Sequence, residues 1–159
     1  MDPYHIAKWL HILSSTILFG TGIGTAFQMI WVMRSGSAGQ AARTVAGVVM
    51  ADWIFTTPAG LVQPLTGAWL IHLAGYSATE PWLLAAYGLY GLAFLCWAPV
   101  VHLQRRIRNL CRAAPPDGPI PAPARALYRV WYALGWPAFT ALVAIFWLLY
   151  RNLYSIEGL

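Results

Sequence analysis

Four apolar runs, at about 6–33, 45–74, 82–103 and 130–150, take up most of this 159-residue chain. A helix needs about 20 mostly apolar residues to cross the hydrocarbon layer of a bilayer, and each run is that long. The first two exceed the requirement, so they are expected to tilt, kink or protrude. Charged residues make up 9% of the chain and apolar ones 59%, against roughly 25% charged in a soluble domain. A water-exposed surface cannot be covered with so few charges. This excludes an ordinary soluble enzyme, a disordered chain and a nucleic-acid-binding domain, in spite of the net charge of +5. The expectation is one all-α membrane domain: a polytopic, up-down bundle of four transmembrane helices with lipid on its outer surface.

The connections set the orientation. Residues 34–44 are short and rich in Gly, Ser and Ala, and 75–81 form a tight turn. Residues 104–129 read as a long basic loop carrying Pro115, Pro116, Pro119, Pro121 and Pro123, which favour extended chain, while the basic part before the prolines can continue the third helix into the cytoplasm. The first and third connections hold eight arginines (Arg34, Arg43, Arg105, Arg106, Arg108, Arg112, Arg125 and Arg129); the other side holds Lys8 and Arg151. The positive-inside rule places the arginine-rich side in the cytoplasm and both termini in the periplasm of a bacterial inner membrane. Trp9, Trp31, Trp82, Trp131 and Trp147 fall near run ends, where indoles anchor at headgroups. Met1 to Tyr4 lacks a basic n-region and the run after it is too long for a cleaved signal peptide. Cys96 and Cys111 have no CxxC or metal spacing, and a disulfide between them is not expected.

Ionisable groups inside lipid are costly and point into the bundle. The candidates are His11, His72, His102 and Asp52. In an up-down arrangement His11 and His72 lie at matching depth near the outer face, whereas His102 ends the third run on the inner side. His11 and Gly22 fall on one stripe of the first helix with Ser15; Gly20 and Gly24 form a GxxxG close-packing surface on the other side. That surface permits a homodimer or packing within the bundle. Two facing imidazoles can ligate one haem iron, with Ser15, Gly22, Gly67 and Ala68 leaving room for the macrocycle. Zinc would want further ligands, and copper(I) would want Met or Cys at the same depth. Hydrogen bonding to headgroups or neighbouring helices is the plainer role for the same histidines. Asp52 sits near the inner boundary, where Arg34, Arg43 or Arg105 are its expected partners. Asp52 and His102 are candidates for handling protons. The second run is broken by Thr56-Thr57-Pro58 and Gln63-Pro64, whose prolines remove backbone donors and bend the helix. Polar side chains there can re-satisfy the freed carbonyls.

The segments Ala7-Lys8-Trp9-Leu10-His11-Ile12-Leu13, Gly20-Thr21-Gly22, Ala51-Asp52-Trp53, Thr56-Thr57-Pro58, Gln63-Pro64-Leu65-Thr66-Gly67 and Gly135-Trp136-Pro137 together resemble a bacterial integral-membrane family catalogued as domain of unknown function 2269. The resemblance covers nearly the whole chain and implies a multi-pass membrane protein. More distantly, Lys8-Trp9-Leu10-His11-Ile12 resembles the first helix of HemJ-type protoporphyrinogen oxidases and CopD-like membrane proteins. That resemblance implies a haem b ligand at His11. The segment Phe27 to Arg34 departs from the HemJ pattern, which counts against porphyrinogen oxidation and leaves haem binding, with a quinol- or porphyrinogen-linked redox role, as what the resemblance implies. There are then two functional expectations. One is a b-type cytochrome, with His11 and His72 as axial ligands and a quinone or another redox partner. The other is a cofactor-free small-solute transporter or membrane scaffold, worked by Asp52 and the broken second helix.

Overall fold

The structure, a computed structural model, describes residues 2–157. It is all-helical among those residues. The helices are α1 (Pro3–Ser35), α2 (Ala38–Ala51), α3 (Thr57–Ala74), α4 (Pro81–Arg112) and α5 (Ala122–Glu157). A single π-helical turn, Asp52–Thr56, joins α2 to α3, so that Ala38–Ala74 forms one interrupted span. Four helical stretches are therefore long and apolar enough to cross a bilayer.

Helix ends follow from local chemistry. Pro3 opens α1, and Asp2 accepts the Tyr4 amide at 3.2 Å. Ser37 and Gln40 form a reciprocal capping box at the start of α2. Gly75, at φ 72°, ends α3: it takes the left-handed conformation that lets its own amide and that of Tyr76 close on the carbonyls of His72 and Ile71.

The helices overrun the hydropathy limits where charge begins. α4 continues through Arg105, Arg106, Arg108 and Arg112, and α5 starts at Ala122. The expected loop 104–129 is thus reduced to 113–121. Good helix formers such as Arg, Leu and Ala carry the helix beyond the membrane, so hydropathy marks the bilayer rather than the helix end. The remaining loop is docked. The carbonyls of Gly118 and Pro116 accept the first amides of α2, Ala38 and Gly39, both at 2.9 Å. A Cβ on Gly39 would lie 3.0 Å from the Pro116 carbonyl and 3.1 Å from its Cβ. Gly39→Ala is expected to push the loop off and cost about 1–3 kcal/mol, read as a lower thermal midpoint in detergent.

Packing is uneven along the bundle. At the arginine-rich end Met29, Val32 and Met33 of α1 meet Ala41, Ala42 and Val45 of α2, Ile107 and Cys111 of α4, and Ala124 and Trp131 of α5 in one buried cluster. Toward the other end the helices pair off, α1 with α3 and α4 with α5, while α3 and α4 barely meet. The GxxxG surface is not used for packing between these helices. Gly20, Gly22 and Gly24 have open space where a Cβ would stand, because α1 turns its Ser14 side to α3 instead.

Candidate functional site

One inner stripe of the second span gathers the polar groups. Asp52, Thr56, Ala59, Gln63 and Thr66 recur at helical spacing, and all but Gln63 are buried. Each polar member has a side-chain or backbone partner across or along the bundle.

At the upper level α1 supplies His11 and Ser14. His11 Nδ1 lies 2.9 Å from Thr66 Oγ1, and His11 Nε2 lies 3.1 Å from Gln63 Nε2. The Thr66 hydroxyl donates to the Val62 carbonyl at 2.8 Å, which leaves its oxygen to accept from His11 Nδ1–H. Gln63 Nε2–H then donates to the bare His11 Nε2. The far end of that amide, Oε1, accepts from the Ser14 hydroxyl at 2.5 Å. Gly67 permits this approach: a Cβ there would stand 3.3 Å from His11 Cε1.

At the middle level the interrupted backbone is repaired from α4. Pro64 has no N–H for the Gly60 carbonyl four residues back. The Tyr90 hydroxyl donates to that carbonyl at 2.5 Å. Tyr90→Phe leaves a half-buried carbonyl without a donor, and a loss of about 1 kcal/mol is expected in thermal unfolding.

At the lower level stands Asp52, 4% exposed. The Thr56 hydroxyl donates to its Oδ1 at 2.8 Å and Gln104 Nε2–H donates to its Oδ2 at 3.0 Å. The π turn sets this position: the Thr57 amide reaches back five residues to the Asp52 carbonyl, and the Thr57 hydroxyl donates to the same oxygen at 2.9 Å. π turns of this kind are frequent at functional sites. No arginine pairs with Asp52 among the described residues; the one ion pair there joins Asp2 to His5. Arg105 instead lies 5.3 Å over the Trp53 ring. The expected Arg34, Arg43 or Arg105 partner is thus replaced by a neutral amide, because Asp52 faces into the bundle and these arginines belong to its end. Gln104 Oε1 is buried and unpartnered.

The other sequence candidates lie apart from this stripe. His72 and His102 are exposed, and neither imidazole has a hydrogen bond among the described residues. The matching depth expected for His72 does not hold: His11 stands level with Gln63, Thr66 and Gly67, and His72, six residues beyond Thr66, lies about 9 Å further along α3. Ser15 turns its hydroxyl to the Ile12 carbonyl at 2.8 Å. Ala68 is exposed and Gly22 has no neighbour within 4 Å of a Cβ position. Of the small residues expected beside a macrocycle, only Gly67 lies against His11. Both ring nitrogens of His11 are engaged, by Thr66 and Gln63, and His72 stands apart from them on the exposed side of α3. Among the described residues no three His, Cys, Asp or Glu side chains group as a metal site.

Gln104, Tyr90 and Ser14 are not among the sequence candidates. A signal for the first two exists: Leu83, Tyr90, Trp97, Gln104 and Cys111 repeat every seven residues along α4, a stripe that tracks one face of a long helix.

A family model described as a predicted integral membrane protein (DUF2269) matches residues 5–151. No curated protein and no solved structure matches the chain.

Proposed function

We propose, from the premise that this chain belongs to the DUF2269 family of integral membrane proteins, that it translocates protons along the inner stripe of its second span. The observation that carries this reading is a repeated arrangement. Two ionisable groups meet at the stripe, Asp52 on it and His11 facing it from α1, and each faces a glutamine side-chain amide. An amide has a donor end and an acceptor end of nearly the same shape. Turning it over converts a partner for one protonation state into a partner for the other.

At His11 the two states are fully connected. In the first, Gln63 Nε2–H donates to the bare His11 Nε2 while Ser14 donates to Gln63 Oε1. In the second, His11 Nε2 carries a proton and donates to Gln63 Oε1; the amide nitrogen donates to Ser14 Oγ. The Ser14 hydroxyl then donates to the His11 carbonyl, 3.1 Å away. One proton has been added with only an amide and a hydroxyl rotated. At Asp52 the carboxylate accepts from Gln104 Nε2–H, and the neutral acid donates its O–H to Gln104 Oε1 after the same reversal. Ionisable residues held inside a membrane commonly mark ion and proton paths. The bundle is closed by its core at the arginine-rich end, while toward the other end α3 and α4 barely meet. A span interrupted by prolines and a π turn is also the kind of element that bends in transport.

Liposomes carrying the full chain and an internal pH dye test this reading under an imposed membrane potential. Proton uptake well above that of protein-free vesicles supports it; equal rates overturn it. The b-type cytochrome implied by the first-helix resemblance requires His11 Nε2 to exchange Gln63 for iron. An absorption spectrum of protein expressed with haem supplied separates the two readings, and a Soret band lost in His11→Ala would favour the cytochrome.

A further inference from the structure

The arginine-rich end carries a groove that the proton stripe does not use. It lies between α2 and α4, has a volume of about 370 Å³, and is lined by Gly39, Ala42, Arg43 and Ala46 on one side and Cys111 and Arg112 on the other. The residues of α2 are small, so the cleft stays open; the two arginines flank it from opposite helices. Neither has an ion-pair partner among the described residues. The surrounding charge is one-sided: stretches 34–44 and 104–129 hold eight arginines and a single acid, Asp117.

We propose that this groove binds the phosphate-bearing headgroup of an anionic phospholipid. The position argues for lipid over a free anion. Arg43 lies two residues before the apolar run of the second span and faces Arg112 of α4 across the groove, on the side where the headgroups of one leaflet adjoin the bundle. Basic clefts between membrane helices bind acidic headgroups in this manner, and an arginine fork suits phosphate oxygens. The apolar floor of alanines leads from the arginines toward the hydrocarbon layer, as a diacyl lipid requires.

The test uses the full chain purified in a neutral detergent. Binding of phosphatidylglycerol is measured by native mass spectrometry and by thermal midpoint, with phosphatidylcholine and inorganic phosphate as comparisons. Phosphatidylglycerol is expected to bind and raise the midpoint, while phosphatidylcholine does not. Arg43→Gln/Arg112→Gln is expected to weaken phosphatidylglycerol binding roughly thirtyfold. Arg106→Gln/Arg129→Gln, which removes the same charge from exposed positions off the groove, should leave binding within about twofold of the parent, a shift of a few tenths of a kcal/mol. Equal loss in both double variants would overturn the proposal, as would equal binding of phosphatidylcholine. Stabilisation by inorganic phosphate without any by phosphatidylglycerol would also overturn it. Should the first pair fail to fold, Arg43→Lys/Arg112→Lys keeps the charge and loses the fork, and unchanged binding there would reject the forked contact.

Discussion

Asp52→Asn is expected to reduce proton uptake into liposomes by roughly a hundredfold, the lower range of what a positioned acid or base contributes to proton transfer. The fold should survive, since Asn keeps an acceptor for the Thr56 hydroxyl, and its amide N–H can donate to Gln104 Oε1 once that side chain is reversed, at nearly the same volume. Helical content and thermal midpoint therefore separate a lost proton site from a lost structure. Uptake at parental rates with folding intact would remove Asp52 from the path. Asp52→Glu is the conservative comparison: it restores the acid one methylene further out and should recover part of the flux.

The second large effect concerns the seam between α1 and α3. Gln63→Leu deprives His11 Nε2 of its partner and leaves the Ser14 hydroxyl only the His11 carbonyl. A polar group left unpaired inside the bundle costs about 1–3 kcal/mol, and this variant should lose that much. His11→Phe alone leaves Gln63 and Thr66 short of a partner and should lose a similar amount. The double variant His11→Phe/Gln63→Leu replaces a polar pair by an apolar one, and much of the lost stability is expected to return. Proton uptake should not return with it. Denaturation midpoints and flux on the same four proteins check both statements. Recovery of stability together with flux would mean that His11 serves only to hold the helices together.

How much of the molecule is legible in the sequence depends on which physical signal carries it. The four spans are legible because lipid demands long apolar runs and leaves few exceptions. Asp52 stands out for the same reason, as a carboxyl within such a run. Its partner does not. Gln104 borders Arg105 and Arg106 and reads as the beginning of a loop, whereas α4 in fact runs on to Arg112. Tyr90 is hidden among other aromatics, and only its sevenfold spacing to Trp97 and Gln104 marks it as facing inward. The histidines show the limit of depth reasoning. Counting rise from the ends of the apolar runs puts His11 and His72 at one level, whereas His11 stands level with Gln63, Thr66 and Gly67; which way a side chain points is angular information besides. A π turn adds a residue to a turn, and Pro64 bends the helix beyond it, so the angle cannot be carried from Asp52 to His72. Gln63 lies closer to the answer, yet its sequence context presents it as a donor to freed carbonyls rather than as the partner of an imidazole.

The docking of Pro116 and Gly118 onto Ala38 and Gly39 bears on biogenesis. A ribosome delivers the first helical hairpin long before it delivers residue 116. Until then the leading amides of the second span have only Ser37 and water to satisfy them. That edge of the span is thus finished late, when the third segment has already entered the bilayer. Chains shortened before residue 116 should insert yet remain frayed at that edge, and the membrane quality-control proteases would meet an open helix start rather than a sealed one.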